Sequence, residues 1–128
     1  CGIHEFLSRL PDGLNTAPGD ASSALSVGQA QRIAVARALY KPAQLLLLDE
    51  PAASLDALSE HHVMQALHQA ARQQTTLMIT HQIDSLRDWD EIWLMEAGKL
   101  VQQGSWQALT AQPGPFRALL QHRQQECI

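Results

Sequence analysis

At 128 residues and 45% apolar composition, the chain is about the size of one domain and can bury a moderate core. Nine Lys and Arg against 13 Asp and Glu give a formal charge of -4, which argues against sequence-independent attraction to nucleic acid or to an anionic membrane surface. The longest apolar run, Leu45 to Leu48, is far short of the roughly 20 residues that a membrane-spanning helix needs.

The first predicted element is a short amphipathic helix from Ile3 to Leu10, stopped by the turn residues Pro11-Asp12-Gly13. Asn15 to Ser26 is rich in Gly, Pro, Ser and Asp and reads as an ordered loop. Ser26 is placed to cap a second helix that carries Ala30, Ile33, Ala36 and Tyr40 at helical spacing and ends before Pro42. Gln44 to Leu48 reads as a strand buried on both faces, ending abruptly at Asp49-Glu50-Pro51, although leucine alone does not separate strand from helix. Asp56 can cap a helix with Val63, Leu67 and Ala70 inward and His61, Gln65 and His68 outward. Thr75 to Thr80 reads as strand, followed by a helical stretch around Ser85. Glu91 to Met95 and Lys99 to Gln103 flank Ala97-Gly98 as a tight hairpin, and Ser105 and Gly114-Pro115 open two short helices. The alternation predicts an α/β fold: a parallel sheet finished by a small antiparallel addition.

In open parallel sheets, ligands bind beyond the carboxyl ends of the strands. Asp49 and Glu50 end one apolar run there. Adjacent acids suit a magnesium-nucleotide site in which one holds the metal's shell and the other orients and deprotonates water. Asp56 already supplies the helix cap that would be the bland alternative for these acids. His81 ends the second run, where an imidazole can donate to a terminal phosphate; alone, such a His is usually just a satisfied polar residue. Ser26, Gly28 and the helix start offer a hydroxyl, an amide and a helix dipole to an anion, a pattern that is weak by itself because Ser is an ordinary cap.

Taken in order, Leu25-Ser26-Val27-Gly28-Gln29, Gln31-Arg32, the Leu45 to Pro51 block, Ser54-Leu55-Asp56, Thr80-His81, Gly98-Lys99 and Gln103-Gly104 resemble the ABC ATPase family. The resemblance implies the P-loop NTPase (ABC ATPase) fold, with residues 1–40 as the end of the helical subdomain and 41–128 as the C-terminal half of the RecA-like core. It also implies ATP and Mg2+ as ligands and a head-to-tail dimer that sandwiches each ATP. By that resemblance Ser26, Gly28 and Gln29 form the signature that meets the nucleotide of the partner. Asp49 is the Walker B acid that holds magnesium largely through water, Glu50 the general base, His81 the switch histidine, and Ser54, Leu55 and Asp56 the D-loop. The usual Ser-Gly-Gly is here Ser26-Val27-Gly28, which keeps the Gly nearest the phosphate.

These residues hold no G-x-x-x-x-G-K-[ST] phosphate loop and no glutamine loop. With Cys1 in place of an initiating Met, the chain is expected to be an excised piece, inactive alone and prone to self-association through an uncovered strand edge and face. Within the family, residues 25–32, Pro51 to Ser54 and Gly114-Pro115-Phe116 with His122-Arg123-Gln124 resemble the CydD-type subfamily of half-transporters. That resemblance implies a CydC-type partner, a transmembrane domain outside these residues, and export of cysteine and glutathione for cytochrome bd assembly at the cytoplasmic face of the bacterial inner membrane.

Other readings carry less weight. His61, His62 and His68 fit a solvated helix face better than a metal site, and Trp89, Trp93 and Trp106 are read as packing residues. Cys1 and Cys127, at opposite ends, are read as ordinary free thiols in a reducing setting. The rival function is a soluble ABC ATPase acting on DNA or the ribosome, but neither heptads nor lysine clusters are present. A non-hydrolysing ATP-glued dimer is disfavoured because Glu50 and His81 are both retained.

Overall fold

A computed structural model describes residues 1–16 and 25–126, and the side chains up to residue 123. Most of the Asn15 to Ser26 loop and Cys127 therefore lie outside the described residues. The elements are α1 (His4–Leu7), a 3-10 turn (Gly13–Asn15), α2 (Val27–Tyr40), β1 (Leu45–Asp49), α3 (Ala57–Ala71), β2 (Thr75–Ile79), a 3-10 turn (Ile83–Leu86), β3 (Ile92–Glu96), β4 (Lys99–Gly104), α4 (Trp106–Ala111) and α5 (Pro115–Glu126). They fall into two compact units, Cys1–His81 and Gln82–Ile128, a division by packing that is separate from the boundary expected at 40/41.

In the first unit β1 and β2 pair in parallel, with Leu45 opposite Thr75 and Asp49 opposite Ile79. Parallel strands need a long crossover, and α3 supplies it. Its start is fixed by Asp56, whose carboxylate accepts a hydrogen bond from the Ser59 amide at 3.0 Å. The inward stripe of α3 is Ser59, Val63, Met64 and Leu67, and His61 and Gln65 are exposed, whereas Ala70, expected inward, and His68, expected outward, are both half-buried. Val63 and Leu67 are fully buried.

Two local expectations need correction. Only Leu46 and Leu48 of β1 are buried; Leu45 and Leu47 are 51% and 65% exposed, so β1 is covered on one face among the described residues. A run of leucines is compatible with either arrangement. On α2, the buried residues are Arg32 and Val35, and Tyr40 of the expected apolar stripe is 91% exposed. The helix is rotated because the Arg32 guanidinium is held inward: Nη1 donates to the Gly2 carbonyl at 3.1 Å, lies 3.4 Å from Glu5 Oε2, and the group sits 4.9 Å over the Phe6 ring.

In the second unit β3 and β4 form their own antiparallel ladder, with a register shift between Leu94 and Met95. The turn places Ala97 and Gly98 at φ 47° and 75°, the left-handed pair of a two-residue hairpin. Ile83, Ile92, Leu109 and Phe116 form the core, with Trp106 edge-on to Phe116 at 5.5 Å. Trp93, expected to pack, is instead exposed; its neighbour Ile92 takes the inward position, and strand alternation turns Trp93 the other way. Trp89 donates from Nε1 to the Ser85 carbonyl at 3.1 Å.

Candidate functional site

The parallel register decides where the polar residues meet. With Asp49 opposite Ile79, the residues that follow each strand emerge at the same carboxyl end, which brings Asp49 and Glu50 to the side of Thr80 and His81. The ladder runs one residue past β1, since the Glu50 amide donates to the Ile79 carbonyl at 2.9 Å. Glu50 then takes φ 46°, a left-handed backbone that a non-glycine residue adopts only when its surroundings impose it. The strand's alternation ends there, and the Glu50 carboxylate lies with Oε1 3.2 Å from His81 Nε2.

The two partners of that contact differ in environment: the Glu50 side chain is 24% exposed and that of His81 92%. Their alignment falls short of a hydrogen bond, so Glu50 Oε1 is a buried acceptor without a donor among the described residues. Its hydrogen-bonding capacity is unused, in a carboxylate whose side chain as a whole is not sealed from solvent. Asp49 is exposed at the end of β1. Three protein ligands for a metal are not gathered anywhere among the described residues. A single exposed carboxylate still suits magnesium, which takes one or two carboxylates and completes its shell with water and phosphate oxygens.

The signature residues meet one another at the start of α2. Ser26 Oγ accepts from the Gln29 amide at 3.2 Å, and Gln29 Oε1 accepts from the Ser26 amide at 2.9 Å, a reciprocal capping box. The Ser26 hydroxyl proton remains to be donated, and the Ser26 side of the helix start is exposed. Gly28 serves packing as well. A Cβ there would stand 3.2 Å from both Leu55 Cδ2 and the Ser54 carbonyl, so the absence of a side chain lets α2 lie against 54–55. The structure thus joins Ser26, Gly28 and Gln29 to Ser54 and Leu55, and Asp49 and Glu50 to His81.

Sequence reasoning gave no role to Gln31, whose Nε2 donates to the Glu50 carbonyl oxygen at 2.8 Å. The signal was present in the spacing: Gly28, Gln31, Arg32 and Val35 share one helical face, and an amide and a guanidinium on an inward face call for partners.

The family described as "ABC transporter" matches residues 2–53. The glutathione/L-cysteine transport system ATP-binding/permease protein CydD of Escherichia coli is 58% identical over 124 residues, covering 97% of this chain and 21% of that protein. The chain belongs to the ATP-binding domains of ABC transporters. Transport ATP-binding protein AarD of Providencia stuartii is 56% identical over the same shares. A bacterial Atm1-family ABC exporter solved with ATP bound superposes with a TM-score of 0.86 at 32% identity, over 95% of this chain and 22% of that one. The chain therefore spans about a fifth of the length of the relatives it matches, and its P-loop NTPase fold of the ABC type matches that part of the Atm1-family exporter.

Proposed function

We propose that the full-length protein carrying this chain is one half of an ABC exporter that hydrolyses ATP to move cysteine and glutathione out of the bacterial cytoplasm, in support of cytochrome bd assembly. Residues 1–40 close its helical subdomain and 41–128 make the C-terminal half of its ATPase core. Its partner is a CydC-type half-transporter, and its ATPase works at the cytoplasmic face of the inner membrane. No helix among the described residues is long and apolar enough to cross a membrane; likeness to an ATP-binding/permease protein supports a membrane domain in the rest of the full-length protein. The observation that carries the ATPase reading is the Glu50 carboxylate at the sheet's carboxyl end, 3.2 Å from His81. The 58% identity to the Escherichia coli protein supports the cargo.

In this mechanism Glu50 accepts a proton from a water as that water's oxygen attacks the γ-phosphorus. The bond from phosphorus to the ADP oxygen breaks, and inorganic phosphate and ADP leave. His81 Nε2 donates a hydrogen bond to the γ-phosphate, and its exposure leaves the imidazole free to do so. Asp49 would hold magnesium, which supplies charge neutralisation for the phosphates. Ser26 and the Val27 and Gly28 amides, at the positive end of α2, meet the γ-phosphate of the nucleotide held by the partner, with Gln29 fixing that end through its capping box. Ser54, Leu55 and Asp56, packed on Gly28, carry the state of one site to the other. Alone, the chain lacks the phosphate loop that grips ATP and does not hydrolyse it.

The test is ATP turnover by the full-length protein with its CydC-type partner in lipid vesicles, with and without cysteine and glutathione, for wild type and Glu50→Gln. Stimulation by thiols that Glu50→Gln abolishes supports the whole reading. Glu50-dependent turnover indifferent to thiols removes the cargo and keeps the ATPase.

A further inference from the structure

We propose that Gln31 is a positioning residue for hydrolysis, tying the signature helix to the backbone of Glu50 and holding that carboxylate in its hydrolytic orientation. The inference rests on the assignment of Glu50 as general base. Its starting point is the 2.8 Å hydrogen bond from Gln31 Nε2 to the Glu50 carbonyl oxygen.

Glu50 is held from both sides of its peptide plane pair. Its amide donates to Ile79 on the neighbouring strand, and its carbonyl accepts from Gln31 on α2. Between those two anchors lies φ 46°, a conformation costly for a side-chain-bearing residue and kept only where neighbouring groups fix it. The strand anchor alone would leave the carbonyl free to rotate about the Cα–C bond. The Gln31 amide removes that freedom and so fixes, on both sides of Cα, the backbone from which the Glu50 side chain reaches toward His81.

The chemistry of the amide fixes its own orientation. Only the NH2 end can donate to a carbonyl, so Oε1 faces the other way, and it is buried without a donor among the described residues. A half-buried amide whose oxygen is buried and unsatisfied is a poor device for packing, where an apolar side chain of the same volume serves better. The bond it makes to the Glu50 carbonyl is what the amide contributes there.

The position on α2 adds a consequence. The same helix begins at Ser26 and Gly28, which meet the partner's nucleotide, and Gln31 lies on the Gly28 face. A shift of the helix start on engaging that nucleotide is thereby transmitted to Glu50, which serves the other ATP. This route is distinct from the one through Ser54 and Leu55, because it runs through a side-chain amide to the Glu50 carbonyl.

The test is steady-state ATP turnover by the full-length protein with its partner half-transporter, comparing wild type, Gln31→Met and Gln31→Glu, with Glu50→Gln alongside. Both Gln31 variants keep the side chain's length; methionine, and glutamate in its ionised form, lack the donor. The expected result is kcat lowered about tenfold with KM for ATP within about twofold of wild type, the signature of lost transition-state positioning. The thermal midpoint reports folding, and if Gln31→Met does not fold, Gln31→Glu is read in its place. Unchanged kcat in a folded variant, or a raised KM at unchanged kcat, overturns the positioning role. If Glu50→Gln is inactive while the Gln31 variants are normal, this inference alone fails. Near-normal turnover by Glu50→Gln removes instead the base assignment on which it rests.

Discussion

The two compact units bury different things. Gln82–Ile128 closes on a conventional apolar cluster of Ile83, Ile92, Leu109 and Phe116. Cys1–His81 also buries aliphatic side chains, but with them it buries Arg32 and Ser59, and it holds the buried polar atoms without hydrogen bonds: Gln31 Oε1, Arg32 Nε, Glu50 Oε1 and His62 Nδ1. Such atoms are costly and native proteins keep few of them. Two of them, Gln31 Oε1 and Glu50 Oε1, sit where α2 meets the carboxyl end of β1, and the other two belong to the cluster of Arg32 and His62 around Gly2 and Glu5. Among the described residues the first unit is the one in which stability is given up for polar groups at the site, and the second packs apolar side chains.

That contrast can be broken from either side. The largest stability effect is expected in the second unit: Phe116→Ala removes the buried ring that Trp106 packs against, and should cost about 3–5 kcal/mol. In the full-length protein, calorimetry should show this loss while ATP turnover per folded molecule stays unchanged. A matching fall in turnover would put the second unit into the chemistry. Gly28→Ala should do the opposite, with little change in melting and a severalfold lower kcat, because a Cβ 3.2 Å from the Ser54 carbonyl displaces the helix start by only a few tenths of an ångström. Wild-type turnover by Gly28→Ala would show that the close approach has no functional weight.

The smallest effect concerns Asp56. Its hydrogen bonds with Ser59, side chain first and then backbone, hold its carboxyl below the usual value of 3.8. A lowered folded pKa means stability that is whole above the unfolded value and is lost as pH falls through the lowered one. Thermal midpoints against pH should show Asp56→Ala below wild type at neutral pH, with the gap closing below about pH 3.8. Asp56→Asn should keep most of the cap without that pH dependence. A gap independent of pH would mean that the ionised carboxylate is not what caps α3.

Much of this architecture was legible. Ser26, Asp56 and Ser105 each cap the helix that the sequence assigns to them, and Ala97-Gly98 makes the hairpin turn. These are local signals, written in residues adjacent to the feature they specify. The failures were of tertiary cover. A leucine run does not say whether β1 is covered on one face or two, and an apolar stripe on α2 lost to the face where Arg32 finds Gly2, Glu5 and Phe6. At the site, the parallel register that brings His81 to Glu50 follows from strand order, but the left-handed Glu50 and its bond from Gln31 depend on α2 lying against the end of β1. That placement is not written in any one segment.

In the proposed mechanism, hydrolysis depends most directly on Glu50. The deciding measurement is ATP binding and ATP turnover by the full-length protein with its partner half-transporter, wild type against Glu50→Gln. Retained nucleotide affinity with turnover lowered at least about a hundredfold is the predicted result, the scale expected when a general base is removed. Turnover within about twofold of wild type would contradict it, since the proton then goes elsewhere than to Glu50.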